Sequence, residues 1–291
     1  MAVLANRDTR VICQGLTGRA ATYHVGRMIA YGTRLVAGVT PGRGGQRHLD
    51  VPVFDTVAEA AAETGATASL VFVPPANAAD AMIEAIDAGI ELVVCVTERV
   101  PVMDMIRVHQ KLAGSRTRLV GPNSQGVLVP GETQLGVMAT INARRGPVGI
   151  ASRSASLTSE VVAQTTAAGL GQSTTIGVGG DPVHGIGLAE SVRLFLDDPA
   201  TEGIILIGEI GGNDEEEAAA LIKRLAPDKP IVALVVGRHA PAQQRMGHAG
   251  ALVAGQAGSA EAKMEALREA GVLIAPRADL VGMTMRQALV G

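Results

Sequence analysis

The chain has 291 residues, a formal net charge of −3 at pH 7, an aromatic fraction of 2% and no tryptophan. Proteins that bind nucleic acid use aromatic stacking platforms and basic grooves, so this composition argues against nucleic acid as a partner. The length suffices for two ordinary domains. Only 18% of the residues are charged, below the typical ~25%, which favours burial of part of the surface against another subunit.

We expect no signal for export or membrane insertion in this sequence. Its first ten residues lack the apolar run of a signal peptide, and no apolar run approaches the ~18 residues of a membrane helix. Cys13 and Cys95 each lie within an apolar run and are predicted to be reduced core residues. We therefore expect a cytoplasmic protein without a membrane span.

Short β-rich runs alternate with alanine-rich helical patterns over the first half of the chain. In chain order they read "TRVICQG", "AATYHVGRMIAYG", "LVAGV", "ATASLVFVPP", "NAADAMIEAIDAG", "ELVVCVTE", "MDMIRVHQKL" and "TRLVGPN". Continuous Val, Ile and Leu runs with helices between them predict a parallel sheet covered on both faces. Residues 1–145 are thus predicted to form one doubly wound α/β domain.

The alternation restarts after the turn-rich stretch "ATINARRGPVG", and we place a domain boundary between residues 145 and 146. The strands "VGIASRS", "STTIGVGG", "GIILIGEIGG", "PIVALVVGR" and "VLIAP", with helices between them, predict a second α/β domain over residues 146–291. In such sheets, ligands bind in the loops at the carboxyl ends of the strands.

The loop "QGLTGRA", residues 14–20, follows the first strand and opens a helix. Its glycines allow a phosphate to approach backbone N–H groups at a helix N-terminus. The spacing is not G-x-G-x-x-G, and Thr40 stands where an NAD-dependent dehydrogenase needs an acidic residue, which disfavours that class. Arg43, Arg47 and His48 in the next loop suit a ligand richer in phosphate. The alternative is a pair of turn glycines beside solvated arginines.

Two stretches of the second domain follow predicted strands. Ser152–Glu160, "SRSASLTSE", brings five hydroxyls to a helix start, where they suit anion binding, although an N-cap serine accounts for one of them. Glu209 lies between glycines at a strand end. It is a candidate site carboxylate, and the alternative is a loop-tip side chain with a local hydrogen bond.

His248 lies in a long loop, Gly237–Gly258, between glycines and alanines. Long loops of compact domains are usually functional or disordered. Small neighbours are expected to leave both faces of the imidazole accessible, which fits a neutral imidazole that attacks phosphorus. The carboxylate of Glu209 could hold its other ring nitrogen, whereas the alternative is a polar surface residue. No residues stand at metal-ligand spacing around it, and we expect no metal site in this chain.

These motifs together resemble the α subunit of succinyl-CoA synthetase (succinate–CoA ligase) over nearly the whole chain. The matching stretches are "VICQGLTG", "AYGT", "GVTPGRGG", "VPVFDTVAEA", "GATAS", "EAIDAGI", "GPN", "GQSTTIGVGGDP", "IGEIGG" and "RMGHAG". The resemblance implies a Rossmann-like CoA-binding domain, followed by a flavodoxin-like ligase domain with a phosphohistidine loop. It also implies a β subunit whose ATP-grasp domain binds ATP or GTP with Mg²⁺, in an αβ or α2β2 assembly.

In that family, the histidine is phosphorylated by the nucleotide, the phosphoryl group passes to a carboxylate, and the CoA thiol attacks the acyl phosphate. By matching position, the resemblance makes His248 the phosphohistidine and Glu209 its orienting carboxylate. It implies CoA contacts at Thr17, Gly18, Arg19, Ala20, Arg43, Val96, Thr97 and Glu98. It places Ser154, Ala155, Ser156 and Ser159 on the side of the phosphate and the acid.

The chain departs from the family pattern on the side that faces the acid. The family's "SGTLTYE" is "SASLTSE" here, so Ala155 replaces a glycine and Ser159 a tyrosine, and "NCPG" is "NSQG" at residues 123–126. Arg43 replaces a lysine, which keeps the charge but changes the geometry. We expect succinate by default as the acid, with malate, citrate or another carboxylate as the alternative. A non-catalytic CoA-binding regulatory protein is the alternative from another class.

Overall fold

A computed structural model of the chain describes residues 3–241, 246–252 and 258–290. It divides into two compact units, one of residues 4–138 with 183–185, the other of residue 3, residues 139–182 and residues 186–290. The boundary predicted between residues 145 and 146 falls at the start of a strand, Arg145–Ser152, which belongs to the second unit.

The first unit contains a seven-stranded sheet with strand order β3-β4-β2-β1-β5-β6-β7. Its strands are β1 (Val11–Gln14), β2 (Leu35–Val39), β3 (Arg47–His48), β4 (Val51–Phe54), β5 (Ala68–Val71), β6 (Leu92–Cys95) and β7 (Arg118–Val120). Its helices are α1 (Arg19–Tyr31), α2 (Val57–Thr64), α3 (Pro75–Asp87) and α4 (Val102–Leu112). The chain starts at the centre of the sheet, builds one side through β2 and β4, and then crosses to β5 on the other side.

Burial explains why these runs form interior strands. Every residue of β1, β5 and β6 is buried, as expected for a parallel sheet covered by helices on both faces. Cys13 and Cys95 belong to these strands and are buried, and burial raises the pKa of the Cys13 thiol. Helix α2 begins at a capping box in which Thr56 and Glu59 exchange bonds with each other's backbone N–H groups.

The prediction of a wholly parallel sheet is wrong at one edge, because β3 pairs antiparallel with β4. The unit also carries an antiparallel hairpin that was not predicted, formed by β8 (Gly126–Val129) and β9 (Thr133–Gly136). Gly131 in its turn has φ +75°, a conformation that glycine adopts without steric cost. This hairpin depends on its turn residues. The alternation of strands and helices, from which the sheet was predicted, does not indicate it.

The second unit contains five parallel strands that pair in the order β14-β13-β12-β10-β11. They are β10 (Arg145–Ser152), β11 (Gln172–Gly177), β12 (Gly203–Glu209), β13 (Ile231–Val236) and β14 (Leu273–Ile274). The helices are α5 (Ala155–Ala167), α6 (Leu188–Asp197), α7 (Asp214–Leu225), α8 (Ala260–Glu269) and α9 (Val281–Val290), with a 3₁₀ helix at Ala278–Leu280. Both units are therefore α/β, as the sequence predicts.

The strand order of the second unit places its functional loops. The chain starts at β10, places β11 on one side and then crosses to β12 on the other, so the topological switch point lies between β10 and β12. Ser152 pairs with Ile207, and the N–H of Arg153 donates to the Ile207 carbonyl at 3.0 Å. Arg153 and Glu209 therefore emerge side by side. Within the described residues, no helix is both long and apolar enough to span a membrane.

Candidate active site

The first unit has a cavity of about 420 Å³ at the carboxyl ends of β1, β2 and β5. This is the crevice where open α/β sheets bind ligands. Its walls include the loop after β1, the residues after β2 and those after β5. The lining residues are Gln14, Gly15, Thr17, Gly18, Val39, Thr40, Pro41, Phe72, Val73, Pro74, Asn77, Asp80, Ala81 and Glu84.

The loop after β1 passes close to the backbone that follows β5. Gly15 has φ +81°, and a Cβ there would lie 2.9 Å from the Phe72 carbonyl oxygen, so the close approach requires glycine. Helix α1 begins after Gly18, which makes no side-chain cap hydrogen bond. The N-terminal end of α1, with its positive dipole, can therefore receive an anion.

The predicted CoA contacts lie in three loops of this unit. Thr17 and Gly18 line the cavity, and Arg19 and Ala20 are the exposed first residues of α1. Arg43 is exposed in the loop after β2. Val96, Thr97 and Glu98 directly follow β6. The Thr97 hydroxyl donates to the Val73 carbonyl at 2.8 Å, which ties this loop to the loop after β5.

Helix α3 contributes three polar residues to the same cavity that were not predicted, Asn77, Asp80 and Glu84. They lie in a run predicted only as an alanine-rich helix. No role was predicted for Gln14 either, whose buried amide donates to Ser69 Oγ at 2.9 Å. The local sequence of a helix does not indicate which loops its side chains will face, so these residues could not be predicted.

The second unit brings His248 and Glu209 into direct contact. Nδ1 of His248 and Oε2 of Glu209 are 2.7 Å apart. Glu209 ends β12 and is 5% exposed, whereas one third of the His248 side chain is exposed. A carboxylate at Nδ1 fixes the proton on that nitrogen and leaves Nε2 with its lone pair.

The charge environment of His248 has two opposing parts. The hydrogen bond that His248 donates to Glu209 raises the pKa of His248 above its ordinary value, and desolvation by burial works in the opposite direction. The charges of Glu209 and Asp181 raise this pKa further, while the charge of Arg153 lowers it. The imidazole is therefore held close to a buried carboxylate, with a guanidinium behind that carboxylate.

Gly180 lies over the ring of His248. A Cβ at position 180 would be 2.4 Å from Cγ and 2.5 Å from Nδ1 of His248. The prediction that both faces of the imidazole are accessible is therefore wrong for one face. The chain that leaves β11 covers it, and the small residues beside His248 in sequence have no influence on that distant segment.

The described part of the His248 loop packs closely on backbone. The Gly250 N–H donates to the Gly180 carbonyl at 3.4 Å. A Cβ at Gly211 would lie 1.9 Å from the Gly250 carbonyl oxygen, so the segment 246–252 fits only against glycine there. Residues 242–245 and 253–257 of the predicted loop lie outside the described residues.

The predicted hydroxyl cluster after β10 is largely engaged in local hydrogen bonds. Ser154 is the N-cap of α5 and accepts from the Leu157 N–H. Thr158 and Ser159 donate back to the carbonyls of Ser154 and Ala155. Ala155 and Ser156 are exposed in the first turn of α5. The first turn of α5 is thus exposed to solvent, but most of the predicted hydroxyls are used in local hydrogen bonds at the start of the helix.

A buried ionic cluster that was not predicted from the sequence lies beneath Glu209. Arg153 lies 3.4 Å from Glu209, and Lys263 forms an ion pair with Glu215. Arg153 belongs to the stretch "SRSASLTSE", in which only the hydroxyl side chains were predicted to have a role. Glu215 and Lys263 are part of helical patterns typical of solvated faces, so no local signal marked them.

Comparison with known proteins agrees with this two-unit architecture. The family model described as "CoA binding domain" matches residues 6–99, and "CoA-ligase" matches residues 151–273. The chain is 50% identical over 291 residues to the succinate–CoA ligase [ADP-forming] subunit alpha of Aquifex aeolicus, covering 99% of this chain and 95% of that protein. The chain belongs to the succinate–CoA ligase α-subunit family.

Further relatives extend this family assignment. Succinate–CoA ligase [ADP-forming] subunit alpha 1 of Archaeoglobus fulgidus is 46% identical over 275 residues, covering 94% of both chains. The structure of ATP citrate lyase from Methanothrix soehngenii in complex with citrate and coenzyme A is 26% identical, with a TM-score of 0.88. That match covers 99% of this chain and 50% of the lyase chain, so the chain spans about half of the lyase's length.

The succinate–CoA ligase α-subunit family belongs to the NDP-forming acyl-CoA ligases, and the chain is homologous to them. It contains a CoA-binding domain. The 420 Å³ cavity is lined by residues within the CoA-binding match. Glu209 and His248 lie within the CoA-ligase match. Over the described ranges, no three His, Cys, Asp or Glu side chains are grouped so as to hold a metal ion.

Proposed function

We propose that the chain is the α subunit of an NDP-forming acid–CoA ligase that joins CoA to a dicarboxylate, succinate by default. The observation that carries this proposal is the 2.7 Å contact between His248 Nδ1 and Glu209 Oε2. It supports a nucleophilic Nε2, because the proton of the neutral imidazole is held at Nδ1.

The reaction proceeds in three steps. The Nε2 lone pair of His248 attacks the γ-phosphorus of the nucleotide, the P–O bond to the leaving diphosphate breaks, and phosphohistidine forms. An oxygen of the acid then attacks that phosphorus, and the P–N bond breaks to give an acyl phosphate. Finally the CoA thiolate attacks the acyl carbon and inorganic phosphate leaves. Glu209 stabilises the positive charge that the ring acquires in the first step and loses in the second.

The nucleotide site belongs to a partner in this proposal. The relatives are named as alpha subunits, and the family resemblance implies a β subunit whose ATP-grasp domain binds ATP or GTP with Mg²⁺. The assembly is αβ or α2β2. We assign residues 1–145 to CoA binding and residues 146–291 to the phosphohistidine chemistry.

CoA is assigned to the cavity beside the start of α1. Its phosphates are expected at the open N-terminal end of this helix. The proposed contacts are Thr17, Gly18, Arg19, Ala20, Arg43, Val96, Thr97 and Glu98. The exposed Arg43 supplies a planar fork for a phosphate, where the family has a lysine.

The acid is assigned to the start of α5, with Ser154, Ala155, Ser156 and Ser159 on its side. Malate, citrate or another carboxylate is the second candidate substrate, because Ser159 is only half-buried and its hydroxyl turns back to the Ala155 carbonyl. A serine in place of tyrosine leaves room for a larger acid. The likeness to an ATP citrate lyase solved with citrate favours the same candidate.

Co-purification with a β subunit and labelling with [γ-³²P]ATP or GTP tests the proposal. We expect label on the α chain that is labile in mineral acid. Addition of the carboxylic acid substrate and CoA should remove this label and form a thioester. CoA binding without any label would instead support a non-catalytic CoA-binding regulatory protein.

A further inference from the structure

Arg153 is a buried cation next to the proposed catalytic carboxylate. Its side chain is 2% exposed, and Nη2 lies 3.4 Å from Glu209 Oε1. Nη1 lies 3.4 Å from Asp214 Oδ2 and donates to the Gly211 carbonyl at 3.3 Å. The two ends of the guanidinium fork thus serve different partners, with Glu209 on one and the start of α7 on the other.

A second buried cation completes the cluster. The Lys263 side chain is fully buried, pairs with Glu215 and donates to the same Gly211 carbonyl at 2.7 Å. Glu215 Oε1 accepts the backbone N–H of Glu209 at 2.9 Å. Lys and Arg are rarely buried in this way without paired charges. The cluster therefore anchors the backbone at the end of β12 from below.

The guanidinium also touches the loop that carries His248. A Cβ on Gly250 would be 3.1 Å from Arg153 Nη2, so the loop backbone packs directly on this nitrogen. Arg153 thus contacts both the carboxylate and the segment that presents the imidazole.

The two oxygens of Glu209 have different partners. Oε2 accepts from His248, while Oε1 is buried and makes no hydrogen bond within the described residues. The ion pair with Arg153 is what compensates the charge at Oε1. Without it, the carboxylate could rotate about its terminal torsion, because such torsions are broad.

We infer that Arg153 is a positioning residue, which orients the Glu209 carboxylate and the His248 loop for phosphoryl transfer. This inference rests on the proposed phosphohistidine function. The fork is required in this role, because one ammonium group cannot serve Glu209 on one side and Asp214 with Gly211 on the other.

The charges around the imidazole make the positioning role of Arg153 testable through the pH dependence of the phosphorylation rate. Glu209, from β12, raises the pKa of His248, as does Asp181, from the loop after β11, whereas Arg153 lowers it. Only the neutral imidazole attacks phosphorus, so the rate falls as the pH drops below this pKa. Removing the Arg153 charge raises the pKa and moves the acid limb to higher pH, whereas removing the Glu209 charge moves it to lower pH.

The test is single-turnover phosphorylation of the αβ complex by [γ-³²P]ATP across pH, with Arg153→Gln, Arg153→Lys and Glu209→Gln. We expect Arg153→Gln to slow labelling by about 10²-fold, as misplacement of reacting groups does, and to shift the acid limb upward. Arg153→Lys keeps the charge but loses the fork. It is expected to label more slowly than wild type with an unshifted limb. Arg224→Gln, an exposed arginine on α7, is the matched control.

The outcomes separate this inference from the proposed function. Wild type without acid-labile label on His248 would overturn both. Wild type with label, together with a folded Arg153→Gln of unchanged rate and acid limb, would overturn only the positioning role. Thermal unfolding and CoA binding report whether each variant folds. If Arg153→Gln does not fold, Arg153→Lys decides, and a wild-type rate in that variant would overturn the inference.

Discussion

Gly180 lies so close to the ring of His248 that a side chain at position 180 would collide with it. A Cβ on Gly180 would lie 2.4 Å from Cγ of the imidazole, inside the range that real Cβ atoms avoid. The chain after β11 thus covers the ring on one face while Glu209 holds its Nδ1. The position of the imidazole depends on both neighbours together.

Replacing Gly180 with alanine is therefore expected to displace the imidazole from Glu209. Phosphorylation of the α chain should fall by about 10²-fold, because small misplacements of a reacting group have effects of that size. CoA affinity should not change. Gly26→Ala is the control, since a Cβ there meets nothing within 4 Å. Equal labelling rates in Gly180→Ala and wild type would show that the loop adapts around the methyl group.

The His248→Ala variant is expected to lose both α-chain phosphorylation and thioester formation while CoA binding persists. The reason is that the proposed nucleophile is Nε2 of His248, the residue whose Nδ1 donates to Glu209. Labelling with [γ-³²P]ATP, followed by mild acid to release phosphohistidine, measures the first effect, and calorimetric titration with CoA measures the last. His239→Ala removes an exposed histidine that follows β13 and should be fully active. Ligase activity retained in His248→Ala would refute its assignment.

The Glu209→Gln variant is expected to slow phosphoryl transfer by about 10²–10³-fold, the usual effect of removing one transition-state electrostatic contact. Because the hydrogen bond that His248 donates to Glu209 is the largest cause of its raised pKa, the acid limb of the phosphorylation rate should also move to lower pH. Rapid-quench labelling from pH 5 to 9 measures both effects. Glu217→Gln, at an exposed position of α7, is the control. Unchanged kinetics in Glu209→Gln would make this carboxylate structural.

The residue at position 159 is expected to select the acid. Ser159 leaves volume that a tyrosine would fill, so the wild type should accept malate or citrate at least as well as succinate. Ser159→Tyr should shift kcat/KM toward succinate by about tenfold, the scale of small pocket changes. The measurement is kcat/KM for succinate, malate, itaconate and citrate with the cognate β subunit. A strong preference for succinate in both proteins would contradict a role of position 159 in selection.

The sequence by itself determined the fold class and the main candidates of the site. The alternation of β-rich and alanine-rich runs is a local pattern, and it predicted two α/β halves whose loops follow the strands. The family motifs in fixed order identified the family, and they singled out Glu209 and His248. Glycine and proline turn signals are local as well. The antiparallel pairings of β3 with β4 and of β8 with β9 were nevertheless not predicted, because they interrupt the alternation of strands and helices from which the sheet was predicted.

The sequence suggested that Glu209 holds His248, but only the tertiary structure decided the geometry of this contact and which other residues meet there. Glu209 and His248 are 39 residues apart in sequence, and their contact depends on the strand order that places the end of β12 beside the returning loop. Gly180 over the imidazole and Arg153 behind the carboxylate arise from the same edge of the sheet. Lys263 reaches Gly211 only because α8 packs beside α7. Register and strand order set these distances through long-range packing, and a periodic pattern of neighbouring residues does not encode them.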